Sequence, residues 1–259
     1  MSIGIIYFIV IVLANTVGAI SGMGGGVIIK PVLDAIGAHS LMAISFYSSV
    51  AVFTMSIVST IKQLKCGINI KLKLAFAISI ASIFGGILGN TAFEYLLILF
   101  REESIVQWIQ IILTIISLLF ALLYSKKKWK SLELTDIRWY MLVGLLLGFL
   151  STLLGIGGGP INIAMIMLCF GIPIKESTVY SIITIFFSQL SKLISTGISV
   201  GYSAYDLRLL LFIIPAAIIG GSVGAKLSRV LKEEKIIKVY QSIILLVIFL
   251  NILNGVKLN

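Results

Sequence analysis

Charge, cysteine and histidine are all scarce in this chain. Only 12% of its 259 residues are charged, and it holds two cysteines and one histidine. Cys66 stands beside a basic link and Cys169 in an apolar run, so no disulfide or metal framework is indicated. No carboxylate pair, no nucleophile with a base and no metal-ligand spacing occurs within an apolar run. An enzyme would have no residues to stand on, and no cofactor is expected. Residues 1–20 contain no Lys or Arg, so the basic n-region of a cleaved signal peptide is missing and the first apolar run is expected to be permanent. What remains is 59% hydrophobic with a mean hydropathy of +1.14. That much apolar surface needs a bilayer as its solvent.

A membrane-spanning helix takes about 20 mainly apolar residues. Runs of that kind cover roughly 3–21, 41–61, 74–93, 105–124, 139–154, 176–198, 207–225 and 236–253. The fold expected is therefore an all-α membrane protein of about eight long transmembrane helices. Within it a glycine string recurs, first as Gly22-Met23-Gly24-Gly25-Gly26-Val27 and again as Gly155-Ile156-Gly157-Gly158-Gly159-Pro160. A second pair, Gly85-Gly86-Ile87-Leu88-Gly89 and Gly220-Gly221-Ser222-Val223-Gly224, is separated by nearly the same interval. Two marks at nearly one offset indicate an internal repeat, in which Gly22 and Gly155 are mates. We read residues 1–125 as the first membrane repeat, 126–137 as a cytoplasmic linker and 138–259 as the second repeat, all within one integral domain. After each glycine string comes a piece of about a dozen residues, 27–37 and 160–171. At 1.5 Å per residue these cannot cross a core of about 30 Å, so they are expected to be half-helices.

The net charge of +10 comes from short links between apolar runs rather than from one basic face. It marks topology and not a nucleic-acid partner. Three links are basic: Lys62, Lys65, Lys71 and Lys73; Lys126, Lys127, Lys128, Lys130 and Arg138; and Lys226, Arg229, Lys232, Lys235 and Lys238. Placing all three on the cytoplasmic side makes run 41–61 point inward and its mate 176–198 point outward. The repeats are then inverted, with both termini outside. The parity is the same whether each first run and its half-helix cross separately or dip in together as a hairpin.

In an inverted repeat the broken helices meet near the bilayer midplane. There, backbone without side chains admits a ligand closely, and the first amides of a half-helix carry the positive end of its dipole. Gly24, Gly25, Gly26, Gly157, Gly158 and Gly159 are thus candidate anion donors. The pairs Gly18/Gly22, Gly144/Gly148, Gly197/Gly201 and Gly220/Gly224 fit close helix packing instead. Lys30 lies one turn past the first string and supplies a full charge, unless Asp34 four residues on neutralises it. Lys192 either snorkels to the outer surface or, with Gln189 and Ser188, forms a polar stripe lining a pathway. Asn162, in the first turn after the second string, either donates to an oxyanion or caps its helix. Ser48, Ser49 and Thr184 either contact an anion or bond back to their own helices. His39 either carries a proton or rests at the interface, and Cys169 is most simply a small apolar filler.

The two glycine strings, Gly22-Met-Gly-Gly-Gly-Val-Ile-Ile-Lys-Pro31 and Gly155-Ile-Gly-Gly-Gly-Pro-Ile-Asn162, in a chain of this length with two four-span halves, resemble the sulfite exporter TauE/SafE family, also called the toluene sulfonate uptake permease group. The second copy departs in having its proline, Pro160, directly after the glycines. The resemblance implies movement of small organosulfur or oxidised-sulfur anions such as sulfite, thiosulfate or sulfoacetate across the cytoplasmic membrane. Some thiosulfate-moving relatives use several pathway cysteines, for which only Cys169 is a counterpart. The expected partners are a small anionic substrate, the lipid bilayer and a coupling proton or sodium ion. A passive anion channel and a membrane partner of a sulfur-metabolism enzyme are the alternatives.

Overall fold

A computed structural model describes residues 3–64, 71–127 and 129–258. Lys65, Cys66 and Lys128 lie outside the described residues. Among those described, every long element is helical: α1 (Ile3–Ser21), α2 (Gly26–Ile36), α3 (Leu41–Leu64), α4 (Leu72–Phe100), α5 (Glu103–Lys127), α6 (Ile137–Leu153), α7 (Pro160–Phe170), α8 (Ile174–Ser199), α9 (Leu210–Val230) and α10 (Glu233–Leu258). All eight apolar runs are helices, and seven reach the length and hydropathy of a membrane span. The eighth, α6, has 17 residues. Its start is fixed by Asp136, whose carboxylate accepts the Arg138 amide, and its end by the second glycine string.

α2 and α7 are the expected half-helices. At 11 residues each they are about 16 Å long. Both stop at a glycine in the left-handed region, Gly37 (φ 67°) and Gly171 (φ 65°), whose amides return to Leu33 and Met167. This is the usual way a helix end satisfies its last carbonyls. Each half-helix also turns back beside the start of the helix before it. Tyr7 of α1 meets His39, just past α2, at 2.8 Å, and Tyr140 of α6 stacks edge-on against Phe170 of α7 at 5.1 Å. α1–α2 and α6–α7 are therefore two hairpins with glycine tips.

The helices pack in an interlaced way. α4 lies along α6 and α8, and α9 lies along α1 and α3. Numbering the second repeat onto the first turns each of these pairs into the other. One apolar cluster joins Ile11 of α1, Met55 of α3 and Ile213 of α9. Another joins Ile78 of α4, Leu147 of α6, Ile166 of α7 and Tyr180 of α8. The central α3 and α8 run antiparallel, with Ser45 beside Lys192 and Phe53 stacked on Phe186. α5 and α10 do the same, with Ser125 beside Gln241 and Trp108 against Gly255. Outward-facing side chains such as Ile9, Phe84, Ile116, Leu142, Ile218 and Phe249 are exposed and apolar. A belt of that kind is what hydrocarbon accepts.

Small residues let α4 and α6 approach until backbone touches backbone. A methyl group on Gly144 would lie 2.6 Å from the Ile78 carbonyl oxygen, and one on Gly148 would collide with that of Ser82. The matching α1–α9 contact has Gly220 against the Val12 carbonyl and Gly224 against that of Thr16. Lipid tails are as apolar as leucine, so this close fit rather than a hydrophobic drive holds the pairs together. Gly148→Val should therefore cost about 1–3 kcal/mol, the usual penalty of overpacking, or more because backbone cannot yield. A thermal unfolding scan of the detergent-solubilised protein would register it, and an unchanged midpoint would contradict this packing.

Candidate functional site

The two glycine tips meet in the middle of the bundle. The Gly159 amide donates to the Met23 carbonyl at 3.0 Å, and at the equivalent contact Gly26 presses on the Ile156 carbonyl so closely that a Cβ would collide with it. Within each tip the Gly24 amide bonds to Gly18 at 3.3 Å and its mate, the Gly157 amide, to Ser151 at 3.2 Å. Gly22, Gly24, Gly155 and Gly157 all adopt left-handed φ values, from 68° to 76°, which only glycine takes readily. Three of the six candidate glycine amides, those of Gly24, Gly157 and Gly159, thus already serve carbonyls. Gly25 is pressed against the Asn15 side chain. Val52 of α3 and Ile185 of α8, mates at the repeat offset, close over Gly24 and Gly157.

Other predicted residues divide by where their polar atoms go. Ser49 and Thr184 bond back to the Ser45 and Tyr180 carbonyls at 2.7 and 2.8 Å. Ser48 is fully buried, and among the described residues its hydroxyl has no partner. The Asn162 side chain lies against Gly158, fully buried, and among the described residues neither its amide nitrogen nor its oxygen is bonded. The Gln189 amide donates to Ser151 at 3.0 Å, Ser151 pairs with Ser188 at 3.2 Å, and the Gln189 oxygen is left over. Buried polar atoms without partners are rare in native folds and call for a ligand, a water or a movement. Cys169 fills an apolar cluster with Leu74 and Tyr140.

The charged residues come together from opposite repeats. Lys30 and Asp34 form an ion pair at 2.8 Å with both side chains 5% exposed. Lys192 does not snorkel. It is 2% exposed, donates to the Ser45 hydroxyl at 2.6 Å and to the Thr152 carbonyl at 3.4 Å, and lies over the Phe93 ring at 5.8 Å. Among the described residues no carboxylate is within ion-pair distance of it. Lys30 and the Ser45 hydroxyl to which Lys192 donates both flank Gly155: a Cβ there would sit 2.7 Å from Ser45 Oγ and 3.2 Å from Lys30 Cε. Two ammonium groups and one carboxylate around a glycine turn leave the region positive.

A pit of about 10 Å³ leads down to Lys192, lined also by Ser45, Asn90, Phe93, Glu94 and Tyr205. That is space for about one water. Glu94, at intermediate burial, takes hydrogen bonds from Asn90 and Ser199, each at 2.8 Å. Tyr205 stacks on Phe46 at 4.2 Å. Burial, reinforced by Glu94 and Tyr47, pushes its hydroxyl up to about 12, so it is a neutral phenol at the pit.

Ser45, Thr152, Asn90, Glu94 and Tyr205 were not among the residues singled out from sequence. The repeat offset holds a signal for the first of them. Thr178 is the repeat mate of Ser45 and packs on Gly22 as Ser45 packs on Gly155.

Comparison with known proteins agrees with this architecture. The family model for the sulfite exporter TauE/SafE matches residues 7–252. The chain is also 26% identical to the probable membrane transporter protein YunE of Bacillus subtilis (strain 168), over 91% of this chain and 92% of that one. No solved structure matches.

A buried ammonium without a carboxylate is expensive to keep, at a cost of several kcal/mol even after relaxation. Lys192→Met should therefore raise the thermal unfolding midpoint in anion-free detergent, by an amount equivalent to about 1–4 kcal/mol. A lowered midpoint would mean that Lys192 serves the fold rather than a ligand.

Proposed function

This chain belongs to the sulfite exporter TauE/SafE family of membrane transporters, and from that footing we propose that it is a secondary transporter moving a small organosulfur or sulfur oxyanion across the cytoplasmic membrane by alternating access. The observation that carries the reading is Lys192, an ammonium buried at the foot of a polar pit with no carboxylate, among the described residues, at ion-pair distance. A fixed protein countercharge would silence such a group. A mobile anion satisfies it only while bound.

Each part of the site has a role in this reading. Lys192 and Ser45 hold the anion first, reached through the pit. Lys30 supplies the second charge from the opposite repeat. The unbonded amide of Asn162, the Ser48 hydroxyl and the remaining glycine amides offer neutral donors deeper in. Sulfite, thiosulfate, sulfoacetate and similar tetrahedral or pyramidal oxyanions suit a cluster of converging donors, with a proton or sodium ion as the coupling ion. The basic links Lys62 to Lys73, Lys126 to Arg138 and Lys226 to Lys238 lie at the cytoplasmic face by the positive-inside tendency. The pit and both termini then open outside. The antiparallel pairing of α3 with α8 and of α5 with α10 supports two inverted halves.

Interlacing defines the bodies that would move. α9 goes with α1–α3 and α4 goes with α6–α8, because those contacts are backbone-close. Motion is left to the surface between the two groups, where Lys30 and Lys192 face one another.

The test is flux in proteoliposomes. Thiosulfate or sulfite should accumulate against its own gradient when an ion gradient is imposed, and Lys192→Gln should reduce the initial rate at least tenfold while the protein remains folded. The same anions should raise the unfolding midpoint of the wild-type protein by binding linkage and leave that of Lys192→Gln unmoved. Flux that only ever runs downhill would make the protein a channel, and undiminished flux in the variant would remove Lys192 from the site.

A further inference from the structure

Resting on the transporter reading, the charges around Gly155 say how much charge the cargo brings. Lys30 and Lys192 are both buried and repel one another. Asp34 balances one of them through a single oxygen, Oδ2, at 2.8 Å. Its other oxygen, Oδ1, is buried, and among the described residues it has no hydrogen-bond partner. Glu94 is the other carboxylate near Lys192, but it sits in the pit at intermediate burial, beyond ion-pair distance, and already takes hydrogen bonds from Asn90 and Ser199. The inner set therefore carries one unit of uncompensated positive charge. In low dielectric, a set of charges that sums to zero is strongly favoured over one that misses by a unit in either direction.

We propose that this set limits the cargo to one net negative charge, and that Asp34 is where a proton is taken up when the anion brings two. A monoanion neutralises the set alone. A dianion would leave it one unit negative, and the cheapest correction is a proton from solvent bonded to the Asp34 carboxylate. Protonation also frees Lys30, since a neutral acid competes poorly with a dianion for the ammonium. When the dianion departs, the carboxylic acid returns its proton to water and the Lys30–Asp34 pair re-forms. One dianion and one proton thus move together, and a monoanion moves alone.

The groups that face Asp34 support this assignment. From α1 comes the Tyr7 phenol, which feels the Asp34 charge and is bonded to His39 at 2.8 Å. His39, just ahead of α3, also packs edge-on against Tyr47. From α10, Lys257 donates to the Ala35 carbonyl at 2.7 Å and Asn254 to that of Pro31 at 2.8 Å, so neither is directed at the carboxylate. Within α2, Lys30 is its ion-pair partner. Tyr7 and His39 are bonded to each other, and among the described residues neither is bonded to the Asp34 carboxylate.

The experiment uses proteoliposomes with a pH-sensitive dye inside and two probes, thiosulfate, divalent at neutral pH, and methanesulfonate, monovalent throughout. For the wild type, one proton should enter with each thiosulfate and none with methanesulfonate. Asp34→Asn adds a unit of positive charge to the set and removes the proton acceptor, so thiosulfate should enter with no proton. Should Asp34→Asn fail to fold, the double variant Lys30→Gln/Asp34→Asn removes the pair as a neutral unit. It should lower thiosulfate flux at least tenfold more than methanesulfonate flux, and an equal loss for both probes would overturn the assignment. Proton uptake per thiosulfate that is unchanged in Asp34→Asn, or abolished instead by His39→Asn or Glu94→Gln, would overturn the assignment and leave the transporter reading standing. Absence of flux for both probes in the wild type would overturn the transporter reading itself, and this inference with it.

Discussion

A helix broken inside hydrocarbon leaves amides and carbonyls that lipid cannot satisfy, at a cost of several kcal/mol for each group. This chain breaks two helices, between Ser21 and Gly26 and between Leu153 and Pro160. It answers the difficulty by bringing the breaks together. Gly159 donates to Met23, Gly26 abuts Ile156, and Gly24 and Gly157 turn back to Gly18 and Ser151. Side chains would prevent the contact, as the collisions at Gly25 and Gly26 make plain. Glycine is there so that backbone can serve backbone.

This central contact dictates where the other helices go. Two hairpins that touch at their tips leave each first helix, α1 or α6, with a long unpartnered flank. α9 covers α1 and α4 covers α6, each reaching across from the other repeat. The halves are therefore locked through these crossing helices as well as their tips. A chain cut at the linker would leave α4 without α6 and α9 without α1. The groups that could shift as bodies each draw helices from both repeats.

Much of this was legible in the sequence because its signals are strong ones. Eight apolar runs, two glycine strings at one offset and two pieces too short to span led to the long helices and the two half-helices found. Gly144 and Gly148 were rightly read as packing residues, but their partner on α4 was not readable, since any small-residue face offers the same spacing. The choice between hairpin and separate crossings was equally closed to sequence, because both have the same parity. Lys192 illustrates a further limit. Its closeness to the end of α8 permits snorkelling, and only the antiparallel approach of α3, which brings Ser45 to its ammonium, keeps it inside. Ser49 and Thr184 show the converse: their hydroxyls bond their own helices, as such side chains do when nothing better is near.

The helix contacts come in matching pairs, α1–α9 with α6–α4 and α3–α9 with α8–α4, and the side chains do not. The repeat mates of Lys192, Lys30 and Asn162 are Ser59, Ile163 and Ile29. Ser59 bonds the Gly221 carbonyl, and both isoleucines are fully buried. The paired positions are thus charged in one copy only. Repulsion is reason enough, since a second pair of lysines across the glycine tips would add two buried charges with no carboxylate to meet them. On the transporter reading, one charged copy would hold one anion per chain, toward the end of the bundle where the pit lies. Val52 and Ile185 stand deeper along α3 and α8 than Ser45 and Lys192. On the transporter reading, an anion held at Lys192 would pass these two on its way to the far side. They are repeat mates on antiparallel helices that face each other over the tips, so a single sliding of α3 against α8 displaces both at once.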